Sequence, residues 1–282
     1  MSAQIVSGKE LSAKIREELK ERVKKVEREK GFTPGLAVIL VGDDPASHVY
    51  VNNKEKACLE IGMKSEVRRL PKETTQEELN ALINAYNARE DMHGLLVQFP
   101  LPAHLSQEEV LARISPKKDV DGLTVQNSGA LLSGLPGLVS CTPKGVIRLI
   151  KSTGVEIAGK HAVVIGRSNL VGKPVSVLLL NENATVTMCH SKTKNLPEVC
   201  AQADILVAAI GRAEFVTGNF IKPGAVVIDV GTSRVDGKLK GDVKFDEAVE
   251  KAAYITPVPG GVGPMTITML LENTIDAAEM FH

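Results

Sequence analysis

Two residues with reactive side chains, Tyr50 and Lys54, stand four positions apart in residues 43–62. This segment follows an apolar, strand-like run and predicts a helix, with Asp44 placed to cap its start and Gly62 placed to stop it. Residues four apart share one face of a helix, so the phenol ring and the amine should lie side by side.

The two lysines in the middle of this helix, Lys54 and Lys56, have different neighbours. The neighbours of Lys54 three and four positions away carry no charge, whereas Lys56 meets polar residues and Glu60, so we expect Lys54 to point inward and Lys56 outward. Desolvation disfavours an ammonium group, which would let Lys54 exchange a proton near neutral pH. The alternative is a lysine that lies along an apolar surface with its amine in water, and the helix alone favours that alternative.

The first half of the chain alternates strand-like and helix-like segments, which predicts a parallel sheet covered by helices. Ligands of such sheets gather beyond the carboxyl ends of the strands. Gln98 ends an apolar strand, and Asp119 and Asp121 follow a helix, so all three are expected near that edge. Plainer roles remain open, because Gln98 could bind neighbouring backbone and Asp121 could belong to an ordinary turn.

The second half restarts the alternation with a strand, a glycine turn and a helix. Such a turn, here with Gly166 and Gly172, offers backbone amides and a helix N-terminus to a pyrophosphate, although its match to GxGxxG is poor. The next strand ends at Ser191 and Lys192 without the acidic residue that binds the ribose of NAD. Together with Arg167, these residues favour NADP, and a plain polar turn is the alternative.

Two further segments are placed to contact ligands. Thr232 follows a glycine that ends another buried strand, where the nicotinamide half of a dinucleotide could reach. Residues 256–274 crowd three glycines and three prolines ahead of a helix, a composition that is typical of loops lining a bound ring system. An interdomain turn is the alternative for this loop. The helix after it could close its own domain or pack on the first one.

Composition excludes several classes of function. The length of 282 residues suggests two domains at roughly 150 residues each, and 34 basic residues balance 34 acidic ones, which argues against a nucleic-acid partner. The four cysteines and six histidines form no metal-ligand spacing, so we expect neither a metal nor disulfides. No apolar signal segment opens the chain, and the longest uncharged stretch, 122–143, is interpreted as a loop-rich connection that does not span a membrane. We therefore expect a cytoplasmic protein.

Five segments in order resemble one family. They are YVNNK (50–54), VQFPLP (97–102), KDVDG (118–122), VIGRSNLVGKP (164–174) and PVPGGVGPMT (257–266). Together they are similar to the bifunctional methylenetetrahydrofolate dehydrogenase/cyclohydrolase family over nearly the whole chain.

The resemblance implies an α/β fold of two α/β domains with a cleft between them. Residues 1–139 plus 270–282 would form a folate-binding catalytic domain, and residues 140–269 a Rossmann-type NADP-binding domain through which two copies form a homodimer. The implied reactions are hydride transfer from 5,10-methylenetetrahydrofolate to NADP, then hydrolysis of 5,10-methenyltetrahydrofolate to 10-formyltetrahydrofolate.

The resemblance also assigns roles to individual residues. Lys54 would be the catalytic lysine, Tyr50 the ring that lines the folate, Gln98 the partner that tunes the lysine, and Asp121 the anchor of the pterin. The further expected substrate contacts are Val97, Phe99, Pro259, Gly260, Gly261 and Thr266. The expected cofactor contacts are Gly166, Arg167, Ser168, Ser191 and Thr232.

Two other classes of protein compete with this hypothesis. A different NADP-linked dehydrogenase, acting on an amino acid or a shikimate-like acid, would need basic residues for a carboxylate in the first domain, where only Lys54 is an obvious candidate. A non-enzymatic dinucleotide sensor would keep the glycine turn but would have no use for an inward lysine beside a tyrosine.

Overall fold

The computed structural model describes residues 2–282, which group into two compact units. One unit contains the segment up to Ala13 together with Thr142–Thr266, and the other contains Lys14–Cys141 together with Ile267–His282. We call them the six-strand unit and the three-strand unit after their main sheets. Each unit is assembled from two separate stretches of the chain.

The strands follow the predicted alternation with helices. The strands are β1 (Gln4–Ile5), β2 (Gly35–Val41), β3 (Lys64–Leu70), β4 (Gly94–Val97), β5 (His161–Ile165), β6 (Thr185–Cys189), β7 (Ile205–Ala208), β8 (Val226–Asp229), β9 (Ser233–Val235), β10 (Lys238–Lys240) and β11 (Tyr254–Ile255). The helices are α1 (Gly8–Lys30), α2 (Pro45–Glu60), α3 (Gln76–Ala88), α4 (Gln107–Arg113), α5 (Val125–Leu132), α6 (Cys141–Ser152), α7 (Gly172–Asn181), α8 (Leu196–Cys200), α9 (Phe245–Ala248) and α10 (Val262–Phe281).

The three-strand unit has a parallel sheet in the order β3-β2-β4. Every residue of β2 and β4 is buried, as expected for apolar strands covered on both faces. The chain leaves β2 for a neighbour on one side and later adds β4 on the other, so the strand order reverses at β2. A crevice beyond the carboxyl ends of β2 and β4 follows from that reversal.

The six-strand unit has a wholly parallel sheet in the order β1-β11-β8-β7-β5-β6. Here the order reverses at β5, which lies between β6 and β7. The expected α/β fold class with two α/β domains is confirmed in both units. The segment before Ala13, which the sequence assigned to the first domain, groups with the six-strand unit because β1 pairs with β11.

Helix α2 has the start and the orientation that the sequence predicts. Asp44 caps it, since its carboxylate accepts a hydrogen bond from the backbone N–H of Ser47 at 2.8 Å. Lys54 lies on the buried face and Lys56 on the exposed face, which confirms the inward direction of Lys54. The cap at Asp44 sets where α2 begins, and the helix in turn sets where Lys54 is held.

The interpretation of residues 122–143 as loop was wrong in one part, because α5 lies within it. Thr124 caps α5 by accepting from the N–H of Asn127 at 3.4 Å, and Asp119 also accepts from the N–H of Thr124 at 2.8 Å. These polar side chains supply the acceptors that the first helical amides need.

The described residues, 2–282, contain neither a membrane-spanning helix nor a cluster of metal-ligating side chains. No helix there is long and apolar enough to cross a membrane. In the same part of the chain, no cluster of three or more His, Cys, Asp or Glu side chains could hold a metal ion.

His93 is a buried hydrogen-bond acceptor in the three-strand unit. Its Nδ1 accepts from the backbone N–H of Gly35 at 3.0 Å, and its ring stacks on Phe32 with centroids 4.6 Å apart. Burial lowers the pKa of His93 to about 4, with smaller contributions from His282 and Lys118. The folded protein therefore holds this ring neutral, because protonation would remove the acceptor that Gly35 uses.

The unfolding free energy should depend on His93 at mildly acidic pH. Unfolded chains protonate histidine near pH 6.5 while the folded state resists until about pH 4, so folded stability falls as pH decreases through this window, by up to about 3 kcal/mol. Urea unfolding measures the unfolding free energy at several pH values. In His93→Gln this free energy should depend less steeply on pH than in wild type, since glutamine keeps an acceptor but does not titrate. His48→Gln, on a less buried ring, is the control. Equal slopes for wild type and His93→Gln would contradict this account.

Candidate active site and cofactor site

Lys54 and Gln98 form the centre of the site in the three-strand unit. Lys54 is 9% exposed, and its Nζ donates a hydrogen bond to Oε1 of Gln98 at 2.9 Å. Gln98 follows β4, where its backbone N–H donates to the carbonyl of Ile39 and its Nε2 donates to the carbonyl of Phe99 at 2.6 Å. The amide nitrogen is thereby occupied, so the amide oxygen faces the lysine.

The neutral partner matters for the chemistry of the amine. A carboxylate beside Lys54 would favour the ammonium form, whereas the amide oxygen of Gln98 accepts from either form of the amine. The contact therefore fixes the position of Nζ without fixing its charge. A buried amine held in this way can donate or accept a proton beside a bound ligand.

Tyr50 lies one helical turn before Lys54 and is 50% exposed. An exposed aromatic ring next to a buried amine offers a flat apolar surface to a ring-shaped ligand within reach of a proton-transfer group. Val97, by contrast, is buried in the apolar core, and Phe99 packs partly against that core. The predicted substrate contacts of these residues stay predictions.

The two aspartates after β4 have different surroundings. Asp119 is buried and accepts from the backbone N–H groups of Leu123 and Thr124 and from the side chain of Asn127, at 2.8–3.1 Å. Burial raises the pKa of Asp119, while these hydrogen bonds act against the rise. Asp119 therefore shapes the loop, and Asp121, partly exposed two residues later, is the carboxylate that could meet a ligand.

A buried asparagine that was not predicted from the sequence holds the loop of Asp121. Nδ2 of Asn273, in α10, donates to the carbonyls of Val120 at 2.8 Å and Val139 at 2.7 Å. Gly122 has a φ of 67°, and a Cβ at this position would overlap the adjacent backbone. A signal was available, because Asn273 follows the apolar run Met269 to Leu271 in a helix, and a buried amide needs partners.

The glycine-rich loop before α10 lies in the six-strand unit. It contains a cis bond between Val258 and Pro259 and a φ of 103° at Gly260, whose carbonyl accepts from the N–H of Lys9 at 3.0 Å. The helix begins at Val262, so the loop is shorter than the composition suggested. Gly261 precedes it directly.

Thr266 lies in the first turns of α10. Its hydroxyl contacts the hydroxyl of Thr142 at 2.9 Å. The predicted substrate contacts of Thr266, Pro259, Gly260 and Gly261 stay predictions. From residue 267 onward, α10 groups with the three-strand unit, so its later part packs on the first half of the chain.

Glycine is required twice in the turn after β5. Gly166 has a φ of 127°, and a Cβ there would overlap the carbonyl of Ala209 at the end of β7. A Cβ at Gly172, the first residue of α7, would overlap the carbonyl of Gly166. The turn thus brings β5, β7 and α7 together with no side chains between them. Such a surface lets a ligand approach the backbone closely.

Ser168 shapes this turn from within. Its hydroxyl accepts from the N–H of Val171 at 3.1 Å and from the N–H of Gly172 at 3.3 Å. These two amides at the start of α7 are therefore bonded to the protein, although the glycine pattern predicted a turn that offers its amides to a pyrophosphate. A direct contact of Ser168 with the cofactor stays a prediction.

The end of β6 lies next to Gly166, whose N–H donates to the carbonyl of Cys189 at 2.9 Å. This pairing brings the exposed residues Arg167 and Ser191 to the same edge of the sheet. The turn of Ser191 is closed by Thr193, whose hydroxyl accepts from the N–H of His190 at 2.9 Å. The edge presents hydroxyl and basic groups, which fit a ribose that carries a 2'-phosphate.

Comparison with protein families covers both units. Residues 6–121 match the model described as "Tetrahydrofolate dehydrogenase/cyclohydrolase, catalytic domain", and residues 140–282 match the model of the "NAD(P)-binding domain" of the same proteins. The chain belongs to the tetrahydrofolate dehydrogenase/cyclohydrolase family. The family resemblance read from the sequence is thereby confirmed.

Individual relatives in the family are similar over their full length. The chain is 57% identical to the bifunctional protein FolD of Halalkalibacterium halodurans, covering 99% of this chain and 100% of the relative. The crystal structure of the bifunctional enzyme FolD of Campylobacter jejuni is 50% identical, with a TM-score of 0.96 and 99% of each chain covered. That of Trypanosoma brucei FolD, complexed with NADP cofactor and inhibitor, is 42% identical, with a TM-score of 0.94, covering 99% of this chain and 98% of that one.

The fit of the glycine turn can be tested with a single methyl group. Gly172→Ala adds a Cβ that overlaps the carbonyl of Gly166, so the turn must shift, and we expect NADP affinity to fall about tenfold. Gly129→Ala adds the same group in open space and should leave NADP binding unchanged. Isothermal titration calorimetry measures both affinities. Unaltered NADP affinity in Gly172→Ala would show that the turn does not contact the cofactor.

Proposed function

We propose that this chain oxidises 5,10-methylenetetrahydrofolate to 5,10-methenyltetrahydrofolate with NADP and then hydrolyses the product to 10-formyltetrahydrofolate. The observation that carries the proposal is the hydrogen bond between the buried Lys54 and the partly buried Gln98, in a chain with this family membership. Tyr50 would stack on the folate and Asp121 would bind the pterin. A different dehydrogenase or a dinucleotide sensor gives no reason for that pair.

The hydrolytic step suits an amine whose charge is not fixed. The methenyl carbon lies between two nitrogens that share a positive charge, and water adds to this carbon and loses one proton. The hydroxyl group then becomes the formyl C=O on one nitrogen, as it loses its remaining proton and a proton is delivered to the other nitrogen, whose bond to the carbon breaks. The amine of Lys54 can take part in these proton transfers, either by accepting the proton of the attacking water or by donating one to the departing nitrogen. Gln98 would keep Nζ in place during the transfer.

The oxidation makes smaller demands on acids and bases. Bound NADP supplies the acceptor for the hydride that leaves the methylene carbon. Since no proton leaves that carbon, the residues of this chain contribute mainly by orienting the two ligands. Gly166 and Gly172 would leave room for the dinucleotide, and Thr232 would lie beside its nicotinamide half.

The choice of cofactor would depend on Arg167 and Ser191, whose guanidinium and hydroxyl groups are exposed at one edge of the sheet. A planar guanidinium can donate two hydrogen bonds to a phosphate.

We further propose that the enzyme acts in one-carbon metabolism in the cytoplasm as a homodimer formed through the NADP-binding domains. Sedimentation of the purified protein measures its oligomeric state.

One assay separates the proposal from its competitors. Methylenetetrahydrofolate is added with NADP or NAD, reduced cofactor is followed, and the appearance and decay of methenyltetrahydrofolate are recorded. Reduction with NADP followed by decay of the methenyl compound supports both activities. No reduction with either cofactor would favour a sensor or a dehydrogenase of another substrate.

Replacing the buried lysine should separate binding from hydrolysis. Lys54→Met keeps much of the side-chain volume but removes the amine, so cyclohydrolase turnover should fall below detection while folate still binds. Lys56→Met, on the exposed face of the same helix, is the matched control and should hydrolyse normally. Unchanged hydrolysis of methenyltetrahydrofolate by Lys54→Met would refute the role given to this lysine.

Removing one cation should change cofactor preference. Arg167→Ala is expected to weaken NADP by about tenfold or more, the effect of losing a charge-assisted hydrogen bond, and to weaken NAD much less. Lys160→Ala removes a cation at the opposite end of β5 and should affect neither cofactor. Dissociation constants for NADP and NAD measure the difference. Equal losses for the two cofactors would remove the argument for a 2'-phosphate contact.

A further inference from the structure

Two buried carboxylates in the six-strand unit have no part in the proposed chemistry. Asp229 ends β8 and is 3% exposed, and Asp242 follows β10 and is 0% exposed. Burying carboxylates is costly unless hydrogen bonds replace the lost water. Both side chains obtain those hydrogen bonds from backbone N–H groups.

Asp242 binds three successive amides directly after β7. Its Oδ2 accepts from the N–H of Ile210 at 2.6 Å and from that of Gly211 at 3.0 Å, and its Oδ1 accepts from the N–H of Arg212 at 2.7 Å. Successive backbone N–H groups that point to one place form an anion-binding concavity. Here the protein fills that concavity with its own carboxylate, which fixes the path of the chain after β7.

Asp229 in turn fixes Asp242. Its Oδ1 accepts from the N–H groups of Asp242 and Gly231 at 2.9 Å each, and its Oδ2 accepts from the N–H of Val243 at 2.9 Å. The N–H of Asp229 donates to the hydroxyl of Thr256 at 2.8 Å. One carboxylate therefore orients the backbone that carries the other.

Two glycines make room for this arrangement. A Cβ at Gly231 would overlap the carboxylate of Asp242, and a Cβ at Gly241 would overlap that of Asp229. Replacing Gly231 would therefore displace the carboxylate of Asp242, and replacing Gly241 would displace that of Asp229.

The location of the pair connects it to the cofactor edge. Ile210 to Arg212 follow β7, next to Ala209, whose carbonyl packs against Gly166. Thr232 follows Gly231, which Asp229 holds by its N–H. Both loops lie beyond the carboxyl ends of neighbouring parallel strands, where dinucleotides bind in such sheets.

We propose that Asp242, held by Asp229, is a positioning residue for NADP, because Asp242 fixes residues 210–212 and Asp229 fixes Gly231, beside which the nicotinamide half would lie. This inference rests on the proposed function. Asp242 is bonded to the protein backbone and would act on the cofactor only through the loop that it holds.

The two activities of one chain provide the test. Asp242→Asn turns one acceptor oxygen into a donor that faces backbone N–H groups, so the loop of residues 210–212 should loosen. We expect KM for NADP to rise about tenfold and kcat of the dehydrogenase to fall. Hydrolysis of supplied methenyltetrahydrofolate, which depends on Lys54, should keep its kcat/KM within about twofold.

Asp204→Asn is the matched control. Asp204 also accepts from a backbone N–H, that of His161 at 3.0 Å, and it pairs with Lys222, but it lies at the amino end of β7. A general loosening of the six-strand unit would affect both variants alike. KM for NADP should therefore rise in Asp242→Asn and stay unchanged in Asp204→Asn.

A milder variant covers the case in which Asp242→Asn fails to fold. Burial raises the pKa of Asp229 to about 6, with Asp242 adding to the rise, so a neutral side chain at 229 is close to a state that the fold reaches in weak acid. Asp229→Asn should raise KM for NADP about threefold at pH 7.5. The hydrolytic activity should again remain unchanged.

Three results would overturn the inference. They are an unchanged KM for NADP in the folded variants, an equal loss of both activities, and an equal change in Asp204→Asn. Failure of the proposed function has a different signature. Wild-type protein would then reduce no NADP with methylenetetrahydrofolate. Calorimetry would still report how Asp242→Asn alters NADP binding.

Discussion

Backbone amides that lose their ladder partners where parallel strands end are the constraint on which both units depend. Such amides need other acceptors. Aspartates supply acceptors in both units: Asp119 binds the amides that lead into α5, and Asp229 and Asp242 bind amides in the loops that follow strands of the six-strand unit. Because the same strand ends also face the ligands, the residues that satisfy the backbone also decide the shape of the ligand sites.

This constraint explains why most buried acids near the sites are not reagents. A carboxylate that accepts two or three N–H groups is committed to the fold, whereas the proposed chemistry needs groups whose protons can move. The three-strand unit provides such a group in Lys54, held by the neutral amide of Gln98. The six-strand unit provides a backbone surface kept open by Gly166 and Gly172. Proton transfer is thus assigned to the three-strand unit and cofactor binding to the six-strand unit.

Local patterns in the sequence predicted the parts of the site that depend on local structure. The cap at Asp44 and the uncharged neighbours of Lys54 gave the helix and its inward lysine correctly, and the order of apolar strands gave both parallel sheets. What the sequence did not predict depends on partners distant along the chain. The amides bound by Asp242 lie about 30 residues earlier, and β1 is two residues long, too short for any periodicity to mark it. The role of Asn273 was missed for the same reason, whereas the helix after Thr124 was missed although its cap is local.

Each unit combines a segment from one half of the chain with a longer stretch from the other half, and this affects how the protein can fold during its synthesis. The segment up to Ala13 is synthesised long before β11, the strand with which its own strand β1 pairs. The loop of Asp121 is likewise synthesised well before Asn273, which holds it. Neither unit can therefore finish folding until β11 and α10 have been made. The two proposed activities should consequently appear together.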